Sequence, residues 1–185
     1  MNGEQVREYA EARGFHPQTI ARWLALTPAA SAALCRIAVA LKISENHIRD
    51  LMDWLEEIAL RDGCTIDKVL ADKSVTDAET DPRLGRADKL KRIKEAIRRR
   101  RFPRLAQTED ALRRRIAELK LHPAILLSAP PGLEGGRLRV EFSAASQEDL
   151  KRRVAKLADA ADKDATRDIF ALLTGAATPE SKEGI

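Results

Sequence analysis

At 185 residues, with 44% hydrophobic and 34% charged residues and a net charge of +4, the chain has the size of one ordinary domain or two small ones, and its composition excludes broad disorder. No apolar run approaches the roughly 20 residues that cross a bilayer. The opening residues, MNGEQVREYAEARG, lack the apolar centre of a signal peptide, which predicts a cytoplasmic protein.

The first predicted elements are two short helices around Gly14. Val6, Tyr9 and Ala10 of the first can pack on the second, which begins at Pro17, where a missing N–H costs nothing. From Pro17, Ile20, Trp23 and Leu24 share one face, Gln18 and Arg22 the other, and Thr19 lies at the flank. Helix, Gly-containing turn, helix is the sequence shape of a helix-turn-helix DNA reader. Gln and Arg carry the forked donors and acceptors that suit adenine and guanine edges. His16, Gln18, Thr19 and Arg22 are therefore the candidate base-reading residues.

Thr27 and Pro28 start a third helix, striped by Leu34, Ile37, Ala38 and Leu41. Ser44 caps a fourth, whose Ile48, Leu51, Met52, Leu55, Ile58 and Ala59 line one face. Gly63 ends it, and Thr65 caps a short fifth helix. Residues 1–71 thus read as a helical helix-turn-helix bundle. Residues 72–86, DKSVTDAETDPRLGR, show no periodicity and contain Pro82 and Gly85, which predicts a linker.

A second unit is predicted over 87–175. Between Ala87 and Lys120 stand 13 Lys or Arg against five Asp or Glu, a local charge of +8 that suits a polyanion. Its densest part, Arg98, Arg99, Arg100 and Arg101, joins Arg36 and Arg49 as candidate phosphate contacts. Two helices are predicted here, broken at Phe102–Pro103. The period then changes. Ala124–Ser128 is a short apolar run, GLEGG a hairpin loop, and Arg137–Phe142 a strand with Leu138, Val140 and Phe142 on one face. Ser146 caps a helix bearing Leu150, Val154 and Leu157, and a last helix runs to Gly175. Residues 176–185 are predicted as a disordered tail.

The fold class is accordingly mainly α, with a small C-terminal α+β domain built on a two-stranded hairpin. A two-stranded sheet is marginal alone and leaves edges that a second copy can cover. Leu138, Val140, Phe142, Leu150, Val154 and Leu157 are therefore the candidate homodimerisation residues. Cys35 and Cys64 stand apart without metal-ligand spacing, and His47 and His122 read as structural and loop residues. With no Ser/His/Asp set, metal cluster or phosphate-cradling Gly loop, the sequence predicts neither an enzyme nor a cofactor or metal.

Two segments together resemble ParB-type chromosome and plasmid partition proteins. GFHPQTIARWLALTP is similar to that family's helix-turn-helix, and LKISENHIRDLM to its downstream Leu-Ser-x-x-His-Ala-Arg stretch, with Ser44, His47, Arg49 and Leu51 matching. GGRLRVEFSAASQEDLKRRVAKL is similar to its C-terminal strand-then-helix pattern. The resemblance implies a nucleoid-associated dimer on a centromere-like inverted repeat of double-stranded DNA, with a ParA-type ATPase as partner and no membrane. A transcriptional repressor, a nucleoid-associated regulator and a helical protein–protein adaptor are the alternatives. His16 stands where the family has a capping Ser. The family's nucleotide-binding domain has no counterpart in these residues, so CTP binding is not implied.

Overall fold

The computed structural model describes residues 3–177. Among them are ten α-helices and one two-stranded antiparallel sheet, the mainly α architecture with a small hairpin that the patterning predicts. No helix among these residues is long and apolar enough to cross a membrane. The chain divides into two compact units between Phe102 and Pro103. The predicted tail lies almost wholly outside the described residues.

The first unit holds α1 (Gly3–Ala12), α2 (Pro17–Leu24), α3 (Pro28–Leu41), α4 (Glu45–Asp62), α5 (Ile66–Leu70), α6 (Lys73–Thr80) and α7 (Arg86–Arg101). Helix α3 is the centre, packing on α1, α5 and α7, while α4 packs on α2, α5 and α7. Its start follows the predicted logic, with Thr27 Oγ1 accepting from Ala30 N at 3.3 Å and Pro28 at the first helical position. Ser44 and Thr65 occupy the predicted cap positions without side-chain cap bonds. The core joins Val6, Trp23, Leu34, Ile37, Ile48, Leu55 and Ile58 to Ile93 and Ile97 of α7, all essentially fully buried.

Two predicted boundaries change. Residues 72–86 are not an unstructured linker: α6 occupies most of them, Asp72 caps it by accepting from Ser74 N at 2.9 Å, and Val75 and Ala78 enter the core. The helix has only those two buried positions, so tertiary packing rather than its own pattern holds it. Helix α7 belongs to the first unit, not to a second unit starting at residue 87, because Ile93 and Ile97 complete the bundle core. The division falls instead where Pro103 lacks the N–H to continue the helix.

The second unit holds α8 (Pro103–Glu118), β1 (Leu126–Ser128), a 3₁₀ turn (Pro131–Gly136), β2 (Arg139–Glu141), α9 (Gln147–Ala161) and α10 (Asp164–Leu173). Helices α8 and α10 pack on each other, and Leu112, Leu119, Leu121, Ile125, Ile169, Leu172 and Leu173 form the core. The strands pair Leu127 with Val140, flanked by Leu126–Glu141 and Ser128–Arg139. Ser146 Oγ accepts from Asp149 N at 3.1 Å, so the predicted cap of α9 is made. Asp149 accepts in turn from Ala145 N at 3.2 Å and from Arg153 at 3.0 Å, which holds its carboxyl below the usual range, Arg153 having the largest effect.

Candidate nucleic-acid interface

Helix α2 is aimed by the turn before it. Gly14 has φ +69°, a left-handed conformation that L side chains rarely adopt, and the space beside it is open. The chain thereby reverses between Ala10 and Phe15, and Phe15 N donates back to Ala10 O at 2.9 Å. Tyr9 meets Phe15 and Trp23 edge-on at centroid distances of 6.0 and 6.2 Å. Its hydroxyl lies 2.9 Å from Ala38 O and 2.8 Å from Ile43 O, which ties α1 to the end of α3.

His16 caps α2, its Nδ1 accepting from Gln18 N at 3.2 Å. That bond commits one ring nitrogen to the backbone and leaves only Nε2 for a partner. Gln18 is exposed on the first turn. Thr19 is not at the flank but inside, 7% exposed, with Oγ1 donating to Glu45 Oε1 at 2.6 Å. The same oxygen accepts from His16 N at 3.1 Å. These bonds, Thr19's foremost, hold the Glu45 carboxyl below the usual carboxylate range. Thr19 is therefore a structural tie, not a base reader.

Arg22 faces outward but is engaged. Its Nη1 lies 2.6 Å from Asp53 Oδ1 and its Nη2 2.7 Å from Glu56 Oε2, both on α4. The two hydrogen bonds, Glu56's first, raise the guanidinium pKa further. Beside this pair lies a cleft of about 410 Å³ lined also by Trp54, Glu57, Leu60 and Arg101, with Leu60 87% exposed.

The candidate phosphate contacts divide sharply. Arg49 is exposed near the start of α4. Arg36 pairs with Glu79 of α6. Arg98 bonds Glu95 at 2.8 and 2.9 Å, and Arg100 lies 3.1 Å from Asp62 and 3.6 Å from Asp72. Arg101 bonds Glu57 at 2.5 and 2.7 Å and stacks 5.8 Å from the Trp54 ring centroid. Arg61 completes the arrangement, donating to the carbonyls of Arg101 and Arg100 at 2.7 and 2.8 Å and so capping α7. Arg100 and Arg101, like Arg36, are committed to carboxylates of the first unit, and these two arginines bind α7 to the bundle, whereas Arg98 pairs within α7 itself.

Two cations outside the predicted set stand near the start of α2. Arg13 is exposed, lies 5.5 Å over the Tyr9 ring and donates to Lys42 O at 3.1 Å. Lys42 is exposed at the left-handed C-cap of α3. Arg13 immediately precedes the turn glycine, a position the sequence could have marked; nothing local marked Lys42, which is 29 residues away from Arg13.

In the second unit the six candidate dimerisation residues also divide. Leu138, Phe142 and Leu157 are half-buried against that unit's own core. Val140, Leu150 and Val154 remain 41%, 45% and 49% exposed, as do Leu126 and Phe170 to a similar degree. Among the described residues, no group of three His, Cys, Asp or Glu side chains is placed to hold a metal ion. No family model, curated protein or solved structure matches the chain.

Proposed function

We propose that the chain is a binding protein, not an enzyme, that engages double-stranded DNA through α2 as a homodimer. Two copies of α2 would read the halves of an inverted repeat. The observation that carries this reading is the α1–turn–α2 arrangement, which leaves Gln18 exposed on the first turn of α2, with exposed Arg13 just before the turn bonded to the backbone of exposed Lys42, and exposed Arg49 on α4, the helix whose Glu45 bonds the start of α2. In this reading Gln18 would read an adenine edge and the three cations would hold phosphates. The exposed apolar residues Val140, Leu150 and Val154 of the second unit support self-association. A partition role in the nucleoid, with a ParA-type ATPase as partner, follows from the ParB resemblance alone; a gene for such an ATPase beside this one would support it.

The test is selection of bound duplexes from a random pool, with affinity measured across salt concentrations. Gln18→Ala should lower affinity for the selected duplex about tenfold and leave binding of the pool unchanged. Neutralising Arg13 and Arg49 together should reduce the slope of log affinity against log salt by about 2. Absence of duplex binding at low salt would overturn the reading. It would favour the second one, a helical adaptor, which the exposed Leu60 in the α2–α4 cleft supports.

A further inference from the structure

We propose that Asp53 and Glu56 are an anionic latch that holds Arg22 in the DNA-free protein, so that engaging a duplex requires Arg22 to exchange two carboxylates for nucleic acid. The inference rests on the DNA-binding reading of α2 and deepens it. Asp53 and Glu56 are three residues apart on α4 and so share one face of that helix, toward α2. The guanidinium bridges them through different nitrogens, Nη1 to Asp53 at 2.6 Å and Nη2 to Glu56 at 2.7 Å. Those are the donors a guanine edge or a phosphate would need.

The pair is open enough to release. The side chains of Arg22, Asp53 and Glu56 are 38%, 54% and 43% exposed, so solvent screens the attraction and its net worth is small. Arg22 bound to DNA would gain an ion pair and lose two. Its visible contribution to affinity is therefore reduced while the carboxylates are present. Substituting Arg22 alone should then change affinity little, and its contribution should emerge only after the latch is neutralised.

The experiment is a cycle on the full chain, read by anisotropy with a labelled random-sequence duplex pool of about 30 base pairs. Wild type, Arg22→Ala, Asp53→Asn/Glu56→Gln and the triple variant are compared, each checked for helical content. The latch predicts that neutralising Asp53 and Glu56 raises affinity about three- to tenfold when Arg22 is present, and by less when it is Ala. An equal or larger gain in the Arg22→Ala background means that the carboxylates act on DNA by repulsion alone, and overturns the latch while leaving DNA binding intact. No gain in the wild-type background overturns it likewise. Failure of all four proteins to bind the pool overturns the DNA reading itself and the latch with it.

Discussion

Thr19 donates its hydroxyl to Glu45 at 2.6 Å and thereby ties the first turn of α2 to the first turn of α4. The bond crosses 26 residues of sequence and comes from a buried side chain, so α2 is fixed by a polar contact as well as by Ile20 and Trp23. Thr19→Val keeps the volume and removes the donor. It should lower the melting temperature by about 4 °C, read by circular dichroism, without altering which duplexes are bound.

Gly14 makes a second prediction. Open space surrounds the position of an added Cβ, so Gly14→Ala meets no clash, and its cost comes from φ +69° alone. Urea denaturation should show a loss of about 1 kcal/mol. A neutral result would mean that the turn relaxes to another conformation.

The arginine run should behave as a structural clamp. Arg101→Gln removes the bonds to Glu57 and the stacking near Trp54, and Arg61→Ala removes the two bonds to the end of α7. Each should cost about 1 kcal/mol in urea denaturation, because charge-assisted bonds at partly exposed sites retain only part of their strength. Arg101→Gln should also leave the salt dependence of duplex binding unchanged. A shallower slope with full stability would instead place Arg101 on phosphate.

Acid sensitivity follows from Asp81. Its carboxylate accepts from Arg83 Nε, Nη2 and backbone N, each at 3.0 Å, and lies 3.5 Å from Arg92. The Arg83 side-chain bonds lead in pushing its pKa down to about 2 from 3.8. A depressed carboxylate contributes its full stabilisation above the unfolded value and loses it as pH falls through the folded one. The wild type should therefore lose stability between about pH 4 and pH 2, and Asp81→Asn should show a shallower fall over that window in thermal melts.

Self-association is the fifth property open to measurement. Leu150 and Val154 lie four residues apart on α9 and share a face. Placing Lys at both should halve the mass seen by light scattering and leave helical content intact, because neither side chain is buried in its own unit. A wild-type chain that scatters as a monomer would remove the dimer from the proposal.

The periodic stripes made α1 to α4 legible, since each carries enough apolar positions to define a face, and the stop at Gly63 with Thr65 after it marked α5. Helix α6 was hidden because Val75 and Ala78 are its only buried residues. The stripe of α7 was visible, but Ile93 and Ile97 do not by themselves say which core they enter. The candidate site was legible to the same depth. Gln18 falls on the outer face as the spacing predicts, whereas Thr19 turns inward. Pairing was invisible: Arg22 meets Glu56 34 residues away and Arg101 meets Glu57 44 residues away. A run of four arginines reads as surplus charge until the carboxylates opposite it are located.

The division at Phe102–Pro103 decides how the chain can be cut. A fragment ending near residue 86, where composition alone suggests a joint, would discard Ile93 and Ile97 and leave their contacts on the bundle open to water. One ending at Phe102 keeps the seventh helix with its acidic partners Glu57 and Asp62. Expressed alone, the longer piece should unfold in a single cooperative transition, whereas the shorter should expose apolar surface that binds a reporter dye.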